Sequence, residues 1–153
     1  MRKRREIPYK LVEECFYAKK YLPGKMKILA EKLDDMFPRT SRDVVKLQTS
    51  TKTPYDTSIT ERWGIKRATC AEAMEYESKR LLLKYLDLII NDALTVEEAL
   101  FVNHRYDREM RFYEIARELH TSERSCYRIR DSVLKKAWGY LRLIEQSLSR
   151  ALN

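Results

Sequence analysis

The chain has 153 residues, of which 44% are hydrophobic and 35% charged, and its formal net charge is +8. This length fits one domain, large enough to bury an apolar core without disulfides or a structural metal. Its apolar runs are too short for a membrane-spanning helix, which excludes a transmembrane segment. Only 3 Gly and 4 Pro occur, and so few turn formers favour an all-α fold over a β-sandwich or barrel.

The basic residues are concentrated at the two ends of the chain. Residues 1–30 carry a net charge of +6 and residues 104–153 a net charge of +4, whereas residues 61–103 carry −2. This asymmetry predicts an anionic partner that both ends contact. The candidate basic arm at the N-terminal end consists of Arg2, Lys3, Arg4 and Arg5.

Residues 1–38 are predicted to form a helical hairpin. Apolar side chains recur at helical spacing after Pro8, and Pro23-Gly24 is expected to stop the first helix. A second apolar stripe follows and ends at Pro38. Residues 39–57 are rich in Ser and Thr and are expected to form a linker or an ordered crossover loop.

A long central helix is predicted over residues 58–93. The stretch from Ser58 to Glu61 has the form of a capping box. Gly64 is an expected point of interruption, and the sequence beyond Lys66 is rich in strong helix formers. The acidic net charge of residues 61–103, which contain most of this helix, suits self-association, and the pattern suits a core helix of a monomer equally well. A homodimer is therefore left open.

Residues 94–153 have the pattern of a helix-turn-helix DNA-binding domain. Thr95 opens a second capping box. A short amphipathic helix begins at Phe112, and Ser122 is a good N-cap for a longer helix. Two helices joined by about three residues are typical of this motif. His120 lies in the turn where Gly is common, because the backbone there needs a positive φ that His tolerates at a small cost.

A helical wheel divides the longer helix into a buried face and an outward face. The buried face consists of Cys126, Ile129, Val133 and Ala137. In a recognition helix the opposite face reads base edges in the major groove, where arginine forms two hydrogen bonds with guanine. We assign base reading to Arg124, Tyr127, Arg128 and Asp131. We assign contacts with the DNA backbone to Ser122, Ser125, Arg111, Arg117, Arg130, Lys135 and Lys136. The same pattern also fits a helical bundle with a solvated charged face and no DNA partner.

The C-terminal sequence resembles a known group of DNA-binding domains. Leu94 to Glu98 and Phe112 to Arg130 are similar to the helix-turn-helix of sigma factor region 4, and Ser122 to Arg128 is the best match. The whole chain resembles the RinA/ArpU group of transcriptional regulators from phages and prophages of Gram-positive bacteria. The resemblance implies a positive regulator of late phage genes that binds double-stranded promoter DNA and contacts RNA polymerase. Such a regulator would act at the nucleoid of the bacterial host cell.

Two other functions are compatible with a short helical chain of this kind. A phage terminase small subunit also carries a helix-turn-helix, although in those proteins it usually precedes the oligomerisation helices. A polymerase-binding helical protein would show no salt-sensitive DNA binding. Enzyme activity is not expected, because the sequence has no Gly-rich phosphate loop and no Ser/His/Asp set.

No cofactor and no metal are expected. The three cysteines, Cys15, Cys70 and Cys126, are odd in number and far apart. With His104 and His120 as the only histidines, zinc-ligand spacing is missing. Free thiols favour a reducing compartment, so a cytoplasmic protein is expected.

Overall fold

The computed structural model describes residues 8–37 and 59–152, and within them every regular element is a helix. The all-α fold is therefore confirmed. The α-helices in these two stretches are α1 (Tyr9–Lys19), α2 (Leu22–Met36), α3 (Ile59–Thr69), α4 (Ala71–Leu88), α5 (Val96–Val102), α6 (Phe112–Glu118), α7 (Glu123–Leu141) and α8 (Glu145–Leu152). Turns of π-helix extend α4 over Ile89–Ala93 and α5 over Asn103–Asp107, and a 3₁₀ turn at Arg142–Ile144 joins α7 to α8. None of these helices combines the length and apolarity needed to cross a membrane.

The first two helices meet earlier than the sequence predicted. The prediction that Pro23-Gly24 stops α1 is wrong, because α1 ends at Lys19 and α2 begins at Leu22. Pro23 lies in the first turn of α2, where its missing N–H is not required for a helical hydrogen bond. The turn between the helices is closed by the backbone N–H of Tyr21, which donates to the carbonyl of Ala18 at 2.9 Å.

The predicted long central helix is divided at Cys70. This residue has an extended backbone (φ −69°, ψ 158°), which ends α3 and places Cys70 at the N-cap of α4. The expected interruption at Gly64 does not occur, since Gly64 lies inside α3. Ser58, the first residue of the predicted capping box, lies outside the described residues, as do residues 39–57 of the predicted linker.

The second capping box is confirmed at the start of α5. The Thr95 hydroxyl accepts a hydrogen bond from the Glu98 backbone N–H at 3.3 Å, and the Glu98 carboxylate accepts one from the Thr95 N–H at 2.8 Å. These reciprocal bonds satisfy two backbone donors that a helix start leaves unpaired.

One apolar core is shared by helices from both parts of the described chain. Side chains of α1 lie in the same buried cluster as side chains of α4, α5, α6, α7 and α8. Its members include Phe16, Leu82, Leu86, Phe101, Ile115, Cys126, Val133, Leu141 and Leu148. The described helices of the predicted segments 1–38, 58–93 and 94–153 therefore pack against one another around a single core.

Lys79 is a fully buried cation between α4 and α8. Its side chain is 0% exposed, and its ammonium group donates to the backbone carbonyl of Ala151 in α8 at 3.1 Å. The same group lies 3.1 Å from a carboxylate oxygen of Glu75, one turn earlier in α4. Lys79 thus joins α4 to the last turn of α8.

Candidate nucleic-acid interface

The two helices of the candidate interface, α6 and α7, are joined by a turn with a left-handed residue. The Thr121 N–H donates to the carbonyl of Ala116 at 2.9 Å, and the His120 N–H donates to that of Arg117 at 3.3 Å. These two bonds form a Schellman motif, which ends a helix with one residue in the left-handed region. That residue is His120, with φ of 50°, as the sequence predicted for this position.

The start of α7 is capped as predicted. The Ser122 hydroxyl accepts a hydrogen bond from the Ser125 backbone N–H at 3.2 Å, and the two hydroxyl oxygens lie 3.0 Å apart. Ser122 is exposed and Ser125 half-buried. The cap fixes the first turn of α7, where N–H groups and the helix dipole favour an anion. Backbone phosphate contacts by these two serines stay a prediction.

The outward face of α7 lies in solvent, as the helical wheel predicted. We call this surface the outer face; its members, all exposed, are Arg124, Tyr127, Arg128, Asp131 and Lys135. On the opposite side Cys126, Val133 and Ala137 are fully buried and Ile129 is half-buried. The periodicity of the sequence was sufficient for this division because it depends only on the geometry of one helix.

The cations of the outer face are not neutralised by the protein. Arg124, Arg128 and Lys135 form no ion pair with any residue in 8–37 or 59–152. Asp131 is the acid of this face, and one of its oxygens lies 3.5 Å from a guanidinium nitrogen of Arg130. Arg124 and Arg128 therefore lie in solvent, and their guanidinium groups donate no hydrogen bond to any residue of the described chain.

Arg130, predicted to contact the DNA backbone, forms an ion pair within the protein. Its Nε lies 2.7 Å from Oε1 of Glu13 in α1, and the Tyr106 hydroxyl donates to the same oxygen at 3.3 Å. The Glu13 hydrogen bond raises the pKa of the guanidinium above its ordinary value. The Arg130 side chain thus joins α7 to α1, and its contact with DNA phosphates stays a prediction.

Lys136 is likewise held within the protein. Its ammonium nitrogen lies 2.6 Å from Oε2 of Glu98, and the Ser132 hydroxyl donates to Oε1 of Glu98 at 2.7 Å. Burial raises the pKa of Glu98, but the hydrogen bonds from Lys136, the Thr95 N–H and Ser132 together lower it by more. The net shift is therefore downward. Lys136 anchors α7 to α5, and its phosphate contact stays a prediction.

Tyr127 has an aromatic partner that sequence reasoning missed. Its ring stacks on that of Phe112, with centroids 4.3 Å apart and planes 10° from parallel. The only signal in the sequence was an aromatic residue at the predicted first position of α6, which alone does not specify a contact 15 positions along the chain. The stack leaves the Tyr127 side chain 51% exposed.

The remaining predicted backbone contacts lie on or near α6. Arg111 and Arg117 are exposed, at the N-cap and in the last turn of this helix. The Glu114 carboxylate accepts a hydrogen bond from the Arg111 backbone N–H at 2.7 Å. The Arg111 guanidinium takes no part in this bond. The basic arm, residues 2–5, lies outside the described residues.

Comparisons with protein-family models, with curated proteins and with solved structures find no match to this chain. Its function is therefore inferred from the chemistry of α6 and α7. In the described ranges no group of three or more His, Cys, Asp or Glu side chains is arranged to hold a metal ion.

Proposed function

We propose that the protein is a sequence-specific DNA-binding transcriptional regulator in which α6 and α7 form a helix-turn-helix and α7 is the recognition helix. The observation that carries this proposal is the outer face, whose arginines are exposed and lack acidic partners in the described chain. A solvated bundle surface more often mixes both signs of charge in pairs.

The position of the arginines along α7 supports base reading. Arg124 and Arg128 lie in the first two turns, and a recognition helix contacts bases mainly through its N-terminal residues. A guanidinium matches O6 and N7 of guanine with two hydrogen bonds, which is the commonest specific contact in the major groove. Tyr127 and Asp131 complete the face that would meet the bases.

Exposed cations around this face suit the DNA backbone. Lys135 lies further along the outer face of α7, and Arg111 and Arg117 are exposed at the N-cap and in the last turn of α6. Phosphate contacts of this kind set the register of a protein on the duplex and make binding depend on salt. We exclude Arg130 and Lys136 from this set because carboxylates in α1 and α5 already bind them.

The regulatory role extends this proposal through the sequence resemblance. A regulator of the RinA/ArpU kind would activate late phage genes at promoter DNA and contact bacterial RNA polymerase. One small recognition helix seldom supplies enough affinity alone, so a homodimer on paired half-sites is part of the proposal. A salt-dependent promoter complex that stimulates transcription by purified polymerase would support it.

DNA binding is tested by selecting duplexes from a random pool with the purified full chain. We expect one sequence to be enriched and to bind more tightly than its scrambled form across a salt series. Arg124→Ala or Arg128→Ala should weaken binding to the selected duplex by about 1–3 kcal/mol and relax specificity. Lys84→Ala is the matched control, since Lys84 is an exposed cation on α4.

Two outcomes would count against the proposal. One is an unselected pool, in which no duplex is preferred over its scrambled form. The other is unchanged specific binding by both arginine variants while circular dichroism shows them folded. Assembly of the chain into a ring of eight or more subunits would favour a terminase small subunit instead.

A further inference from the structure

An aromatic series connects the core to the outer face beside the recognition helix. The Phe101 ring, fully buried, lies against that of Phe112 with centroids 6.0 Å apart and planes tilted by 44°. The half-buried Phe112 ring in turn stacks on Tyr127. The exposed tyrosine therefore rests on a support that is continuous with the core.

Arg105 adds a cation to the same support. Its guanidinium carbon lies 5.0 Å from the centroid of the Phe112 ring, within the range of a cation–π interaction. An Nη atom of Arg105 donates to the carbonyl of Met110 at 2.9 Å. Met110 lies in the loop that leads into α6. The Arg105 guanidinium is therefore held by two contacts, the hydrogen bond to the Met110 carbonyl and the cation–π contact with the Phe112 ring.

Tyr127 is the outer-face residue whose position this support defines. Its ring is held by the stack, yet its hydroxyl makes no hydrogen bond with any described residue. An exposed tyrosine without a stacking partner would sample several rotamers. A side chain that is already ordered loses less conformational entropy when it binds, so its contact discriminates more sharply between correct and incorrect partners.

We propose that Phe112 and Arg105 are positioning residues, which hold the Tyr127 hydroxyl where it reads a base edge. This inference rests on the proposed DNA binding by the outer face and deepens it. Tyr127 then contributes to discrimination between sequences, whereas a phosphate contact by the same hydroxyl would strengthen binding to all duplexes alike. The position of Tyr127 in the second turn of α7, between the two base-reading arginines, favours the base edge.

The test is a double-mutant cycle on the full chain. The measured quantity is the ratio of affinities for the selected duplex and its scrambled form. Phe112→Leu and Tyr127→Ala should each lower this ratio by about fivefold to tenfold. Phe112→Leu should have little further effect when Tyr127 is already alanine, because its role is exerted through that side chain.

Three further variants separate positioning from general stability. Tyr127→Phe keeps the stack and removes the hydroxyl, and it should lower the ratio as much as Tyr127→Ala. Arg105→Met keeps much of the side-chain volume and should give a smaller loss of the same kind, which provides a second test if Phe112→Leu fails to fold. Ile129→Val is a matched control on α7, since Ile129 is a half-buried apolar residue outside the stack.

An independent measurement needs no DNA. Stacking on Phe112 should shift the ring proton resonances of Tyr127 upfield in the NMR spectrum of the free protein, and Phe112→Leu should remove that shift. Equal effects of Phe112→Leu in the presence and absence of Tyr127, or retained discrimination in Tyr127→Phe, would overturn the positioning role. Absence of any preferred duplex for the unmodified chain would instead remove the proposed function together with this inference, so the two failures are distinguishable.

Discussion

Arg128 and Arg130 lie two positions apart on α7 and have opposite surroundings. Arg130 is 26% exposed and is bound to Glu13 in α1, whereas Arg128 is exposed and has no ion-pair partner in the described chain. Arg130 therefore stabilises the fold, whereas Arg128, a residue of the same type, remains available to a ligand. Net charge alone does not distinguish these two roles.

The difference extends to two sets of cations. We call Lys79, Arg130 and Lys136 the anchored cations, because each joins two helices through a hydrogen bond or ion pair. We call Arg124, Arg128 and Lys135 the open cations, because they lie on the outer face without such a partner. If this division is correct, substitutions in the first set lower stability and substitutions in the second set lower DNA affinity.

The largest loss of stability is expected for Lys79→Ala. The change removes a fully buried side chain and leaves the Ala151 carbonyl without its donor. We expect the free energy of unfolding to fall by about 3 kcal/mol, measured by urea denaturation. Lys84→Ala, an exposed cation on the same helix, should change it by less than about 0.5 kcal/mol. Equal effects of the two variants would contradict the anchored role of Lys79.

Glu98→Ala should have the next largest effect. It removes the acid that binds Lys136 and Ser132 and also breaks the capping box of α5. We expect a loss of about 2 kcal/mol in the free energy of unfolding. The matched control is Glu97→Ala, an exposed acid in the same first turn, which should be nearly neutral.

The pH dependence of stability provides a separate test of the same site. Burial raises the pKa of Glu98, but its hydrogen bonds lower it more, so the folded value lies below the ordinary value of 4.5. Its contribution to stability is therefore complete above that value and is lost as the pH falls through the folded pKa. Urea denaturation at pH 7 and at lower pH should show a steeper loss for the unmodified chain than for Glu98→Gln. Parallel losses would show that Glu98 is not the titrating group.

Arg130→Met and Arg128→Met compare the two sets directly. The first change should lower the free energy of unfolding by about 1.5 kcal/mol, because it leaves the half-buried Glu13 carboxylate without its charged donor. The second should lower it by less than about 0.5 kcal/mol, because the Arg128 side chain is exposed. Binding to the selected duplex should show the reverse order. A similar stability loss in both variants would remove the distinction between anchored and open cations.

His120→Gly is expected to have the smallest effect, in the opposite direction. Glycine adopts a φ of 50° without the steric cost that histidine meets, although it loses more backbone entropy on folding. We expect a gain of about 0.5 kcal/mol in the free energy of unfolding, which thermal denaturation would detect. If histidine serves only the turn, discrimination between duplexes by the open cations should not change.

The outer face could be predicted from the sequence, whereas the partners of the anchored cations could not. The wheel placed Arg124, Tyr127 and Arg128 in solvent because side-chain direction within one helix follows from its period. Glu13 and Arg130 are 117 positions apart, and no local pattern relates them. Their contact depends on how α1 packs against α7, which involves the whole core.

The predicted helix boundary at Pro23 was wrong because proline occurs both after the end of a helix and in the first turn of the next one. Proline ends one helix or begins the next, and only the packing of α2 showed that Pro23 begins it. Cys70 gave no warning of a break, since cysteine is not among the preferred N-cap residues. By contrast, Thr95 and Ser122 were predicted correctly because hydroxyl caps depend on contacts within a few residues.

The shared core also determines when the two thiols buried in it can react. Cys15 in α1 and Cys126 in α7 are both fully buried in it, and burial raises the pKa of the Cys15 thiol to about 12 and raises that of Cys126 as well. Alkylation requires the thiolate and access to it, so neither residue can react until the core separates. If α1 and α7 open together, the two cysteines acquire label at one common rate, well after the half-buried Cys70. When alkylation is faster than reclosing, the common rate at which the two cysteines acquire label is the rate at which the core opens.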